Sequence, residues 1–173
     1  MIKFLFGLVV GIGLLLATEY LFATRGGIFM GTQANPLRGE RLIVGKAIEA
    51  SIGKSAQDES PLPANETNLL AGAHVYTENC AGCHGKLDQG APPMSKKFYP
   101  HIPHLLPPST GVTDDPVGRT HWVVTNGIRF SAMPSFKGTL SDEQIWQVSQ
   151  FLRNADKLPQ PVQDALRQPP PAQ

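Results

Sequence analysis

The two cysteines of this 173-residue chain stand three positions apart, at Cys80 and Cys83, and His84 follows directly. Three chemistries fit this spacing. A thiol–disulfide pair normally lies at a helix start inside a βαβ pattern, which is not visible here. A structural zinc site needs four ligands, so two would have to come from distant histidines. Cys-x-x-Cys-His is also the signature of covalent c-type haem, in which two thioethers hold the porphyrin and the histidine reaches the iron.

The first 24 residues are strongly apolar. Phe4 to Phe22 contains a single charge, at Glu19. A helix of this length rises about 28 Å, close to the hydrocarbon thickness of a bilayer. A cleaved signal peptide needs small residues at −3 and −1, but cuts after Ala17 or Ala23 both place leucine at −3. The sequence therefore predicts an uncleaved transmembrane anchor over residues 1–24.

Residues 25–66 are predicted to be a linker. Within it, Asn35-Pro36 can open a helix and Gly53 can close it. Such a helix has one apolar face, which we expect to cover the membrane, the following domain or a partner; that face consists of Val44, Ala47, Ile48 and Ile52. Residues 159–173 are rich in proline and are predicted to be an extended tail.

Residues 67–158 are predicted to form one domain with three core helices. The first runs from Leu69 into the cysteine motif. Asp115 as N-cap and Pro116 as first residue open the second, which ends at Gly127. The third begins with the capping box Ser141-Asp-Glu-Gln144. No alternating strand pattern is visible, so the sequence predicts an all-α fold.

Haem iron bound by a histidine on one side needs a second axial ligand for electron transfer, and a thioether raises the potential by favouring the softer ferrous iron. Met94 follows His84 by only ten residues, which is too near to reach the opposite face. Met133 lies in a loop between two helices and is the predicted ligand. His101 or His104 is the alternative.

The segment from Leu69 to Leu158 resembles a small monohaem class I cytochrome c. The resemblance is carried by four stretches, GAHVYTENCAGCHG, Pro103-x-Leu105, WVVTNGIRFSAMPSF and LSDEQIWQVSQFL. It implies one covalent haem c, attached to Cys80 and Cys83, with His84 and Met133 on the iron.

The resemblance also implies three further features of the site. The first and last helices of the domain cross through Gly72, Tyr76, Val148 and Phe151. The carbonyl of Pro92 or Pro93 accepts a hydrogen bond from the proximal histidine. Arg129 and Trp122 lie near the haem propionates.

The expected function is electron transfer, not catalysis. A membrane-anchored monohaem cytochrome would carry single electrons between redox proteins, with its haem domain in the periplasm and one pass through the inner membrane. The formal charge of +1 and the lack of a basic run give no case for nucleic acid. One alternative is an integral subunit of a respiratory, photosynthetic or dehydrogenase complex. Another is a haem-based redox or gas sensor, which would need an output module.

Overall fold

The computed structural model describes residues 1–28, 31–32, 35–107, 109 and 111–168. No strand occurs within these ranges, and the predicted all-α class is confirmed. The described residues form seven α-helices: α1 (Ile2–Thr24), α2 (Glu40–Ile52), α3 (Glu66–Asn79), α4 (Ala81–His84), α5 (Val117–Asn126), α6 (Asp142–Arg153) and α7 (Gln160–Arg167). Two short 3₁₀ segments, Gly53–Gln57 and Pro93–Lys97, accompany them. The chain forms two compact units, Met1–Asn35 and Pro36–Gln173.

The first unit consists mainly of α1. This helix has 23 residues and a mean hydropathy of 2.0, and none of its residues is buried. It is the single described helix whose length and composition would allow it to cross a membrane.

In the second unit, α3 and α6 cross in close contact. A side chain on Gly72 would collide with the backbone carbonyl of Gln147 and come within 2.7 Å of the Phe151 Cβ. The rings of Tyr76 and Phe151 lie 5.5 Å apart at 49°, and both side chains are fully buried, as is Val148. The predicted crossing is confirmed, and glycine is required where the two backbones meet.

Tyr76 connects this crossing to the cysteine motif. Its hydroxyl donates to the carbonyl of Gly85 at 2.7 Å, directly after α4. Gly85 has φ +87, a left-handed conformation in which a side chain would be strained. Burial raises the pKa of Tyr76, with a smaller contribution from Cys80, so the phenol stays protonated and can keep donating.

The predicted helix boundaries hold better at α6 than at α5. Ser141 and Gln144 form the predicted capping box, with reciprocal hydrogen bonds of 3.2 and 2.9 Å. Helix α5 ends before Gly127 as expected, but its start was predicted incorrectly. Pro116 occupies the N-cap position, and the Asp115 carboxylate instead accepts from Arg119 at 3.2 Å.

Part of the segment predicted to be a linker packs against α5. Helix α2 starts at Glu40, after the predicted Asn35-Pro36, and ends before Gly53 as expected. Ile52 is buried. A side chain on Gly118 would meet the carbonyl oxygens of Ser55 and Asp58, so the 3₁₀ segment after α2 lies directly on α5. The predicted division at residue 66 stays a prediction, but these contacts join residues 40–58 to the domain.

The predicted extended tail is wrong over Gln160–Arg167, which is helix α7. Pro161 stands in the first turn, where proline is tolerated. Val162 is fully buried, and Leu166 packs beside the same core one turn later. Arg167 binds Asp88 at 2.9 Å. The high proline content led to the prediction of an extended tail, although Val162 and Leu166 have helical i, i+4 spacing. Residues 169–173 lie outside the described part of the chain.

We expect Gly72→Ala to destabilise the second unit by about 1–3 kcal/mol, because the added methyl group forces two backbones apart. Gly45→Ala is the matched control. It also lies in a helix, but a Cβ there meets nothing within 4 Å, so about 0.5–1 kcal/mol of stabilisation is expected. Guanidinium unfolding followed by tryptophan fluorescence measures both. Equal stability of Gly72→Ala and wild type would contradict the close crossing.

Candidate functional site

The second unit contains a cavity with a volume of about 360 Å³, and its walls are predominantly apolar. Its size is within the roughly 300–1,000 Å³ of cofactor and ligand pockets. Four side chains predicted to form the site line it: Cys80, Cys83, His84 and Met133. Residues that lie 49 positions apart in the chain, His84 and Met133, therefore face one space.

The surroundings of Cys80 differ from those of a reactive redox thiol. Both cysteines are free, Cys80 buried and Cys83 exposed. Burial, with a smaller effect of Cys83, raises the pKa of Cys80 to about 12. Reactive thiols need a lowered pKa, because the thiolate is the nucleophile. Within the described residues, no group of three or more His, Cys, Asp or Glu side chains could hold a metal ion, so the zinc alternative has no support.

His84 is oriented by the carbonyl of Pro103, at 2.8 Å from Nδ1. The implied partner, Pro92 or Pro93, was therefore wrong. Pro103 reaches the histidine because Leu105 N also donates to the His84 carbonyl at 3.2 Å, which holds the two segments side by side. A carbonyl can only accept, so Nδ1 carries the proton and Nε2 keeps its lone pair for a metal. Burial lowers the pKa of His84, opposed by this hydrogen bond, and a small effect of His104 lowers it further.

Met133 is held by a loop that folds back onto the end of α5. Its carbonyl accepts from Ile128 N at 3.1 Å, and its own N–H donates to the Ser131 hydroxyl at 3.1 Å. Gly127, at φ +69, packs against the Met133 and Pro134 backbone, where a Cβ would lie within 2.8 Å. Met94 is 54% exposed and does not line the cavity.

The alternative histidines differ in position. His101 lines the cavity, with Nδ1 2.8 Å from the Phe98 carbonyl. His104 does not line it, and its Nδ1 is 2.8 Å from the Leu106 carbonyl.

One polar corner of the cavity was missed in the sequence. Arg119 lines the cavity and binds Glu49 of α2 at 2.7 Å and Asp115 at 3.2 Å. Arg129 and Trp122, implied by the resemblance to lie near the haem propionates, are not among the lining residues.

Helix α2 also contributes an apolar residue to the cavity wall. Ile48, which is half-buried, is among the lining residues. The i, i+4 spacing of Ile48 and Ile52 predicted a buried helix face, but spacing alone does not show whether that face covers the domain, the membrane or a partner.

Comparison with known proteins gives a consistent result. The family model described as cytochrome c oxidase, cbb3-type, subunit III matches residues 67–152. The cytochrome c subunit of a quinone alcohol dehydrogenase from Gluconobacter oxydans is 34% identical over 95 residues, covering 48% of this chain and 18% of that protein. Cytochromes c6 from Limnospira maxima and Leptolyngbya boryana are 34% and 35% identical over 88 residues, which cover 90% and 89% of those proteins. No solved structure matches significantly.

The chain belongs to the cytochrome c family, since it is 34% and 35% identical to two cytochromes c6 over about nine-tenths of their length. It spans less than a fifth of the dehydrogenase subunit. Membership implies covalently bound haem c and electron transfer rather than catalysis. The cavity fits that group, because two free thiols and an imidazole with an available Nε2 line an apolar space.

We expect Ile48→Ala to lower the reduction potential by on the order of 30 mV, or ~0.7 kcal/mol for one electron, because water entering at this wall favours the more charged ferric state. Ile43→Ala is the matched control on the same helix. Ile43 is 68% exposed and absent from the cavity, so no change is expected. Spectroelectrochemical titration measures both, and identical potentials would show that α2 does not shield the haem.

Proposed function

We propose that this protein is a membrane-anchored monohaem cytochrome c that carries single electrons between redox proteins on the periplasmic side of the inner membrane. The observation that carries the proposal is the shared cavity of Cys80, Cys83, His84 and Met133. Two thiols, an imidazole and a thioether are the donor set of a c-type haem with histidine–methionine ligation.

Each of these residues has a separate task. Cys80 and Cys83 would form the thioethers, His84 would give its Nε2 to the iron, and Met133 would give its sulfur. When bound, the haem supplies a one-electron ferric/ferrous couple. The hydrogen bond to Pro103 fixes the imidazole ring and increases its basicity, and the apolar walls exclude water. Together these residues would set the reduction potential of the haem.

Met133→Leu should abolish the weak far-red band of the oxidised protein that arises from thioether-to-ferric charge transfer. It should also lower the potential, because the remaining ligand favours ferrous iron less. Met94→Leu is the control, since Met94 lies outside the cavity. Loss of the band in Met94→Leu, or a bis-histidine spectrum in the wild type that disappears in His101→Ala, would refute Met133 as the ligand.

The apolar helix α1 supports retention in the membrane. Thioethers form outside the cytoplasm, which supports a periplasmic haem domain. We expect the intact mass of the mature protein to include residues 1–24, and the protein to resist carbonate extraction because a spanning helix is held by burial rather than charge. A mature N-terminus near Thr24 would instead identify α1 as a signal peptide and the protein as a free periplasmic carrier.

The alternative is an integral subunit of a larger oxidoreductase. It is favoured by the similarity to a dehydrogenase cytochrome c subunit and by the match to an oxidase subunit family. Purification from gently solubilised membranes separates the two possibilities. A carrier elutes alone, whereas a subunit elutes with a fixed stoichiometric set of proteins.

A further inference from the structure

Helix α2 is apolar on two sides, and only one of them is covered. The covered side carries Ile48 and Ile52, one turn apart, against the haem domain. On the other side, Ile43, Lys46, Ala47 and Ala50 follow helical i, i+3, i+4 and i+7 spacing, and all are exposed.

The exposed large apolar side chains of the second unit are concentrated here. Among the described residues of the second unit there are six such side chains, and four of them lie within residues 37–44. They are Leu37 (56% exposed), Leu42 (64%), Ile43 (68%) and Val44 (47%). Single exposed hydrophobic residues are ordinary, but four within eight residues is a local concentration. Leu42 and Ile43 adjoin the outer side of α2, whereas Val44 lies one turn before Ile48 on the other side.

Of the four charged residues in this segment that form no ion pair within the part of the chain that is described, Arg38, Glu40, Arg41 and Lys46, three are cationic. Arg38, Arg41 and Lys46 are exposed. Both acidic residues of the segment are engaged. Glu40 accepts from Leu37 N at 2.8 Å, and Glu49 binds Arg119. Apolar side chains flanked by unpaired cations match the boundary between acyl chains and anionic headgroups.

Chain connectivity brings this surface near a bilayer. Fifteen residues, 25–39, separate Thr24 of α1 from Glu40 of α2. Fully extended, they span at most about 50 Å. If α1 stays in the membrane, as proposed above, this length sets the maximum distance between α2 and the bilayer.

We propose that the outer face of α2, defined by Ile43, Lys46, Ala47 and Ala50 with Leu42 at its edge, docks on the lipid surface of the membrane that α1 occupies. Leu42 and Ile43 enter the headgroup boundary, and Lys46, with Arg38 just before the helix, contacts anionic headgroups. The proposal rests on retention of α1. The opposite side of α2 carries Ile48, which lines the haem cavity. In the docked state α2 would therefore lie between the cavity and the bilayer.

The test uses the full chain with haem attached, in nanodiscs of phosphatidylcholine with phosphatidylglycerol. In the holoprotein Cys80 and Cys83 are consumed as thioethers, so an Ile43→Cys variant carries one free thiol for a nitroxide label. Lys157→Cys is the control, on an exposed turn after α6. Electron paramagnetic resonance then compares label accessibility to oxygen, which concentrates in lipid, and to an aqueous nickel chelate. We expect the oxygen-to-nickel ratio to be several-fold higher at position 43 than at position 157.

Equal ratios at the two positions, with residues 1–24 present by intact mass, would overturn lipid docking and leave the anchor intact. A label at position 43 that is aqueous in nanodiscs but shielded from both reagents in native membranes would assign the face to a protein partner. Absence of residues 1–24 from the intact mass would overturn anchoring itself, and lipid docking with it.

Discussion

The close approach of α3 and α6 at Gly72 is the contact on which the geometry of the site depends. It places Tyr76 against Phe151 in the centre of the core, and from there the phenol reaches the carbonyl of Gly85. The end of the cysteine motif is therefore tied to the same contact that joins the two main helices. A displacement of either helix would move the thiols and the histidine relative to the rest of the cavity.

Backbone hydrogen bonds in loops do most of the remaining positioning. Pro103 fixes the ring of His84, while the turn at Gly127 and the bond from Ile128 hold Met133. Helices and loops therefore have different roles in this small domain. Helix packing supplies the free energy, and short loops with few side-chain contacts supply the precise orientation of donor atoms. The result is an apolar cavity whose polar atoms are confined to a few defined points.

The features that sequence reasoning predicted correctly are those with a local physical cause. The capping box at Ser141 and the stop at Gly127 each require only neighbouring residues. The features that it missed depend on distance in space. Pro103 was not identified as the partner of His84, because proline spacing does not reveal which carbonyl a loop brings close. Helix α7 was hidden by proline content, although Val162 and Leu166 are one turn apart and complete the core.

The packing of residues 40–58 on α5 has a consequence for modular evolution and for protein engineering. The family match begins only at residue 67, yet Ile48 lines the cavity and Glu49 binds Arg119, another residue of its wall. A recombination or fusion event at the family boundary would move the haem-binding helices but leave this wall behind, opening one haem edge to solvent. Because residues 36–173 form one compact unit, a fusion designed to keep this wall would need to include the 13 residues of α2.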